Sequence, residues 1–417
     1  MTTNILHISD THLGNMQYRS AERQQDYADA FDEAVRLATD DTTDHEIDAV
    51  LHTGDLFHAP NPNVPTVNRC LDTLDRLSKA GIPFYGIVGN HERKRDEQWL
   101  DLVRRFDVVE RLDRSPVYVG EGDDRVALYG IDAVRRPEWP SADLELEPPE
   151  GDEYVLLAMH ELLSPVVPDI MANYEASDVL GRTGIHVDGL ALGDYHEPEQ
   201  ADVDGTHFWY PGSTEKIARD ESTDHYVNKL VSDDGELMIH KLRLDSPRDF
   251  VDFEIEFAES DGFSHAERTV KKYDLTGSNG KSAVAIAVLN GEKSGVTAQD
   301  VHGLLTKHGA AVTKVIDNRG IVAAEDIEAE AVDMSEMNAL IDDEVEGLEL
   351  SSVSQTLEGL VRSDDVKKTS LRSEAGDILD TELDIDENGD EDFDIVDVGT
   401  GTDTDGEAEL TTEGDTV

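Results

Sequence analysis

The chain has 417 residues, with 93 acids against 35 bases, a formal net charge of −58 and a single cysteine. Its length calls for more than one domain, because single cores seldom grow past roughly 250 to 300 residues; one cysteine excludes both a disulfide framework and a cysteine-rich zinc site within the chain. The acids run through apolar-patterned segments as well as the C-terminal end, and their mutual repulsion fades only where the Debye length shrinks to roughly 3 Å, so the composition points to a halophile and removes net charge as an argument against a nucleic-acid partner.

The N-terminus enters the apolar run Ile5, Leu6, Ile8 without a basic leader or cleavage site, and no apolar run approaches the 18 residues that span a bilayer. A cytoplasmic protein with no membrane partner is expected. The first run ends in Asp10 and His12, and a helix fits residues 21–38. The strand "IDAVLHTGD" ends in Asp55, with His58 beyond it. A helix over Val64 to Ala80 carries Pro65 in its first turn and Gly81 as its stop. Cys70 falls among Val67, Leu71, Leu74 and Leu77 of that helix, where a buried, inert thiol is expected. Next come "IPFYGIVGN", ending in Asn90 and His91, a helix over Arg95 to Leu112, and the runs "RVALYGI", "YVLLAMH" and "GLALGD". The last two end in His160 and in Asp194 with His196.

This alternation makes residues 1–245 an α/β layered domain. After "SPRD" at 246–249, strand, helix, strand, helix and strand follow in order, a small α+β domain over 246–319. Residues 320–380 are acidic and helix-prone, with Met334, Met337, Leu340, Ile341, Val345 and Leu348 at helical spacing, either a docking helix or a solvated one. Residues 381–417 hold fifteen acids and no lysine or arginine, the composition of a disordered tail.

Repetition carries the chemistry. Five strand runs each end in a metal-ligand type, and in a parallel sheet those ends face one rim. The set mixes imidazole, carboxylate and one amide oxygen without thiolate, which suits Mn²⁺, Fe²⁺ or Zn²⁺ at five- or six-coordinate sites. Seven candidate ligands are too many for one ion, whereas two ions about 3.5 to 4 Å apart sharing a carboxylate use them all. Gly54, Gly89 and Gly193, each before a ligand, are expected in tight turns. Arg93, Lys94 and Arg95 are candidate phosphate contacts in a chain poor in bases. Two look-alikes are set aside. "GSNGKS" at 277–282 has Leu275 where a phosphate-binding loop needs glycine, and "DIDENG" at 384–389 has Ile395 where a calcium loop needs glutamate.

The ordered motifs D-x-H, G-D-x-x-H, G-N-H-E, a lone His and G-x-x-H over residues 5–196 resemble the calcineurin-like metallophosphoesterases. Within them, "HISDTHLG", "HTGDLFH", "IPFYGIVGNHE" and "YPGSTEK" resemble the SbcD, or meiotic-recombination-eleven, type of double-strand-break repair nuclease. The resemblance implies a calcineurin-like layered α/β sandwich, with 246–319 as a DNA-capping domain. It implies two Mn²⁺ ions per chain, one held by Asp10, His12 and His196, the other by Asn90 and His160 with Asp194, and Asp55 bridging. His91 would act as general acid or stabiliser at the leaving oxygen, supported by His58. The family's last motif is G-H-x-H, whereas this chain reads Gly193-Asp194-Tyr195-His196, an oxygen ligand in place of an imidazole.

The implied activity is single-strand endonuclease and 3'-5' double-strand exonuclease. The implied partners are DNA ends and single strands, a second copy of the chain, and an SMC-like ABC ATPase of the SbcC type, docked through residues 320–380. Two alternatives stay open. Hydrolysis of small phosphodiesters or phosphoproteins is opposed by the capping domain, and a non-cutting repair scaffold is supported by Asp194 alone.

Overall fold

Along the first strand Ile5 faces one way while Leu6 and Ile8 face the other, and this alternation sorts the N-terminal part into layers. The computed structural model describes residues 2–40, 46–94, 97–104, 109–278 and 280–320. In chain order the elements are β1 (Thr3–Ile8), α1 (Ala21–Thr39), β2 (Ala49–His52), α2 (Val64–Ala80), β3 (Phe84–Gly86), α3 (Trp99–Val103), β4 (Val109–Arg111), β5 (Val117–Val119), β6 (Val126–Ile131) and β7 (Tyr154–His160). There follow β8 (Leu163–Ser164), β9 (Tyr174–Glu175), α4 (Ala176–Arg182), β10 (Gly189–Gly193), β11 (Glu199–Val203), β12 (Thr206–Tyr210), β13 (Tyr226–Asp233) and β14 (Glu236–Arg243). The last are β15 (Phe250–Phe257), α5 (Phe263–Val270), β16 (Val284–Gly291), α6 (Ala298–Lys307) and β17 (Val312–Asp317).

The strands form two six-stranded sheets, ordered β14-β13-β1-β2-β3-β4 and β11-β12-β10-β7-β6-β5. Each has four parallel strands in succession, with antiparallel neighbours at one edge of the first sheet and at both edges of the second. The five ligand-bearing strand ends expected on one sheet are therefore divided, three on the first and two on the second. Periodicity reports that a strand is buried on both faces but not which sheet it joins. Ile5, Leu51 and Ile87 pack against Leu128, Leu156 and Trp209 between the sheets. Leu6, Ile8 and Val50 face α1 and α2, while Tyr129, Leu157 and Leu190 face α4 and the irregular segments around Trp139. The layered sandwich expected from the sequence is what forms. His7 ties the sheets together by accepting from Trp209 Nε1 at 3.0 Å while its Nε2 meets Thr53 Oγ1 at 2.9 Å.

The helix expected over 95–112 is a correction. Its described residues form the short α3 and then β4, which pairs in parallel with β3 from Phe84↔Val109 to Gly86↔Arg111. Val109 is buried against the same core as Phe84, and the open edge of β3 supplies a ladder that overrides local helix propensity. Helix α2 follows expectation, with Asn63 accepting from Thr66 N at 2.9 Å, Pro65 in the first turn and Gly81 at φ 71° as the stop. Cys70 is fully buried, and that burial pushes its thiol far up, as an inert core residue requires.

Residues 250–317 build a parallel three-stranded sheet, β15-β16-β17, with α5 and α6 packed on it around Phe253, Ile255, Leu289 and Leu304. A buried charge cluster centred on Asp26 of α1 fastens it to the sandwich. Asp26 binds Arg23 Nη1 at 2.9 Å, takes Arg248 Nε at 2.6 Å and Nη2 at 2.8 Å, and lies 3.4 Å from Lys281 Nζ. Arg23 is also held by Gln17, the Lys216 carbonyl and Glu215 at 2.9, 2.8 and 3.2 Å. The lysine of "GSNGKS" is spent on Asp29 at 2.9 Å and the Ser246 carbonyl at 3.0 Å, so it is an anchor and that segment a turn.

Among the described residues no helix is long and apolar enough to cross a membrane. The Met334 to Leu348 stripe, the acidic tail after Thr381 and Arg95 lie outside the described residues.

Candidate active site

The ends of β1, β2 and β3 and those of β7 and β10 meet at one rim, and each expected ligand lies there. Asp10, His12, Asp55 and His160 form a floor no more than 1% exposed. Asn90, Asp194 and His196 lie nearer solvent. His12 Nε2 and His160 Nε2 face Asp55 Oδ2 at 3.6 and 3.4 Å. Asp10 Oδ1 lies 3.9 Å from His12 Nε2 and 3.8 Å from His196 Nε2. Asp194 Oδ1 lies 3.7 Å from His160 Nε2 and accepts from Asn90 Nδ2 at 3.2 Å, which turns the Asn90 amide oxygen into its available ligand atom. The ligand atoms of Asp10, His12 and His196 come within 4.8 Å of one another, as do those of Asp10, Asp55 and His160.

Three of these atoms, His12 Nε2, Asp55 Oδ2 and His160 Nε2, are buried without a hydrogen-bond partner. Leaving such an atom unmet costs about 1 to 3 kcal/mol, and a mixed nitrogen and oxygen set facing inward suits divalent cations that take both donor types. The charges of these groups depend strongly on one another. Burial would raise the Asp55 carboxyl, but the facing His160 and His12 imidazoles hold it well below the usual carboxylate range. Burial drives His12 well down, to the neutral form a ligand needs. Burial alone would lower His160, yet Asp55 and Asp10 carry it well above its ordinary value. Burial likewise opposes protonation of His196, and Glu221 with Asp10 still raises it to about 9. Asp10 and Asp194 are both raised, chiefly by burial.

The backbone is strained at four of the candidate ligands. Asp10, His12, Asp55 and Asp194 have φ of 51°, 42°, 56° and 81°, a left-handed region that costs about 1 to 3 kcal/mol per residue and persists where surrounding contacts over-determine it. Of the glycines expected in turns, Gly54 is left-handed at φ +95°. Gly89 is required by space instead, since a Cβ there would stand 2.1 Å from Asp55 Oδ1.

His91 lies exposed at the mouth. Its backbone N–H fixes Asp55 Oδ1 at 3.0 Å, its Nδ1 meets the His58 carbonyl at 3.3 Å, and its ring stacks on His58 with centroids 5.3 Å apart. His58 Nδ1 faces His12 Nδ1 at 3.3 Å. Arg93 is engaged by Glu138 at 2.9 Å and the Ala133 carbonyl at 3.2 Å, and Lys94 lies over the Trp99 ring at 5.0 Å.

Sequence reasoning missed the acids that clamp these loops. Glu92 accepts from Phe57 N at 3.0 Å and Gly89 N at 3.2 Å, Glu161 accepts from Val134 N at 2.6 Å, and Glu197 takes the Ser222 N–H. Burial raises Glu92 and Glu161 to about 8 each. A signal existed: the dipeptide His-Glu recurs at 91–92, 160–161 and 196–197. Glu221, which takes His196 Nδ1–H at 2.7 Å, had none, because it lies 25 residues further on in an irregular segment.

The profile of the calcineurin-like phosphoesterases matches residues 3–198. The DNA double-strand break repair protein Mre11 of Haloferax volcanii is 35% identical over 381 residues, 91% of this chain and 82% of that one. The proteins of that name from Halobacterium salinarum and Methanosarcina acetivorans are 29% and 31% identical, over 93% and 94% of this chain and 96% and 62% of theirs.

Proposed function

Because the chain belongs to the Mre11 family of DNA double-strand break repair proteins and has the calcineurin-like phosphoesterase fold, we propose that it is a two-metal, manganese-dependent DNA nuclease that processes broken ends. The observation that carries this reading is the trio of buried, unpartnered atoms on His12, Asp55 and His160. Asp10, His12 and His196 would hold one ion and Asn90, His160 and Asp194 the other, with Asp55 available to both. When bound, two such ions polarise the phosphoryl oxygens and lower the pKa of the attacking water.

The protein groups do the rest. Asp55 is fixed through Oδ1 by His91 N–H, which presents Oδ2 to both histidines. His91, anchored at Nδ1 by the His58 carbonyl, has Nε2 to carry a proton to the leaving oxygen. His58 backs both His12 and His91. Asp194 offers oxygen where relatives of this motif use imidazole, which favours the harder Mn²⁺ over Zn²⁺. Arg93, Lys94 and Arg95 are the phosphate contacts of this reading, close in sequence to His91 in a chain poor in bases.

The α+β module over 246–319 serves as the DNA-capping domain, and the Met334 to Leu348 stripe docks an SMC-like ABC ATPase of the SbcC type. The working unit is a cytoplasmic homodimer acting on double-strand ends, in the 3'-5' direction, and on single strands. Lysine and arginine are scarce, so at high salt the isolated chain holds duplex weakly and stable engagement needs the ATPase.

The test is cleavage of plasmid and end-labelled linear duplex at molar KCl, with and without Mn²⁺. Mn²⁺-dependent cutting is expected. Hydrolysis of a small aryl phosphodiester with DNA left intact would replace this reading with the small-substrate one. Mn²⁺ binding without any hydrolysis would replace it with the scaffold.

A further inference from the structure

The three imidazoles of the proposed ligand set all turn Nε2 toward the facing carboxylates, and each has a different partner at Nδ1. For His160 it is the Thr53 carbonyl at 2.7 Å, for His12 the His58 ring at 3.3 Å, and for His196 the Glu221 carboxylate at 2.7 Å. His196 has the one charged partner, and it is also the most exposed of the three, with a side chain 23% accessible. An imidazole packed on every side needs little orientation, whereas one on a solvent-facing loop must be held.

We infer that Glu221 is a positioning residue for the ion bound by Asp10, His12 and His196, fixing the His196 tautomer and aim. The inference rests on the metal reading above. Its geometry is over-determined. Glu221 Oε2 accepts from Ile217 N at 2.6 Å, so the carboxylate has one orientation, and its side chain is 8% exposed. The peptide group that follows it is pinned at both ends as well, by Lys216 Nζ on the Glu221 carbonyl and by Glu197 on Ser222 N–H. The same strap reaches the α+β module, where Arg219 Nη2 meets Asp252 Oδ1 at 2.7 Å. In a site that already gathers Asp10, Asp55 and Asp194, a further carboxylate strengthens ion binding by acting through the imidazole, raising its basicity and stopping its rotation.

The test is calorimetric titration of Mn²⁺ into the full chain, Glu221→Gln and Glu221→Ala at molar KCl, beside thermal unfolding of each without metal. The unaltered chain should bind two ions. Glu221→Gln keeps an acceptor for His196 and should weaken one ion about 10-fold, while Glu221→Ala weakens it about 100-fold and the other ion binds as before. The ion-free melting temperature of Glu221→Gln should stay within about 2 °C, which a purely structural role would not allow. Should Glu221→Ala fail to fold, the glutamine variant decides alone. Two ions bound with unchanged affinity in the variants that fold, or an equal loss at both sites, overturns this inference and leaves the metal reading standing. An unaltered chain that binds no ion overturns both.

Discussion

The charge clusters around Asp26 and around Asp55 are both buried, and they are built on opposite terms. Around Asp26, two arginines and a lysine converge on one carboxylate, and Arg23 meets a further amide, a carbonyl and Glu215. Around Asp55, two imidazoles point at a carboxylate oxygen without reaching it, and three polar atoms have no partner. Burial of charge is common to both, so burial cannot mark the functional site. Unmet burial on a strained backbone does, because a fold tolerates that cost only where something else meets it.

The widest separation between the clusters should come from Asp55→Ala. It removes the carboxylate proposed to serve both ions and is expected to abolish retention of both and all nuclease activity, read by calorimetry and plasmid cleavage. The ion-free melting temperature should fall less than in Asp26→Ala. Two ions retained would break the comparison at its centre. Next is His91→Ala, expected to lower cleavage about 10² to 10⁴-fold, the scale of general acid catalysis. Both ions and duplex binding should be kept, and loss of an ion in that variant would move His91 into the ligand set.

The reverse pattern belongs to Asp26→Ala, which removes the carboxylate that Arg23 and Arg248 share inside the cluster. A loss of about 3 to 5 kcal/mol is expected in denaturant titrations, with Mn²⁺ affinity unchanged in the fraction that remains folded. A loss below about 1 kcal/mol would show the cluster to be as dispensable as a surface pair.

The smallest effect sharpens the comparison with a third kind of buried group. His7 and His52 are hydrogen-bonded and lowered to about 3 each, by burial first and by neighbouring histidines second. Their folded pKa lies below the unfolded value near 6.5, so their contribution is intact above that pH. It is lost as pH falls toward about 3, by about 1.4 kcal/mol per unit for each histidine. Stability at pH 5 should therefore fall by about 2 kcal/mol per histidine relative to neutrality, and His52→Gln should give a flatter pH profile. An unchanged slope in that variant would assign acid sensitivity elsewhere.

Much of the candidate site was legible because the residues gathered at its rim follow the simplest strand signal, an apolar run and then an aspartate or histidine. Asp10, Asp55, His160 and Asp194 could be found in this way without knowing how the strands pair. The division of those ends between two sheets was hidden, since Leu6 and Leu157 look alike in sequence while packing in different layers. Residues 109–111 were missed because the edge of β3, not their own propensity, makes them a strand. Asp26 was invisible for a compositional reason: among 93 acids, nothing singles out the one that meets two arginines and a lysine.

The pairing of β1 with β13, from Thr3↔Ser232 to His7↔Asn228, has a consequence for synthesis. The first strand made waits for its second neighbour more than two hundred residues later, and His160, Asp194 and His196 also arrive only after β6. A ribosome-bound fragment that stops after β6 has Asp10, His12, Asp55, Asn90 and His91 but no complete ion site and an open edge on β1. Long-range closures of this kind form late. If the two-ion reading holds, a growing chain gains its full set of candidate ligands only when the strands of both sheets have been made, so strand order alone delays activity.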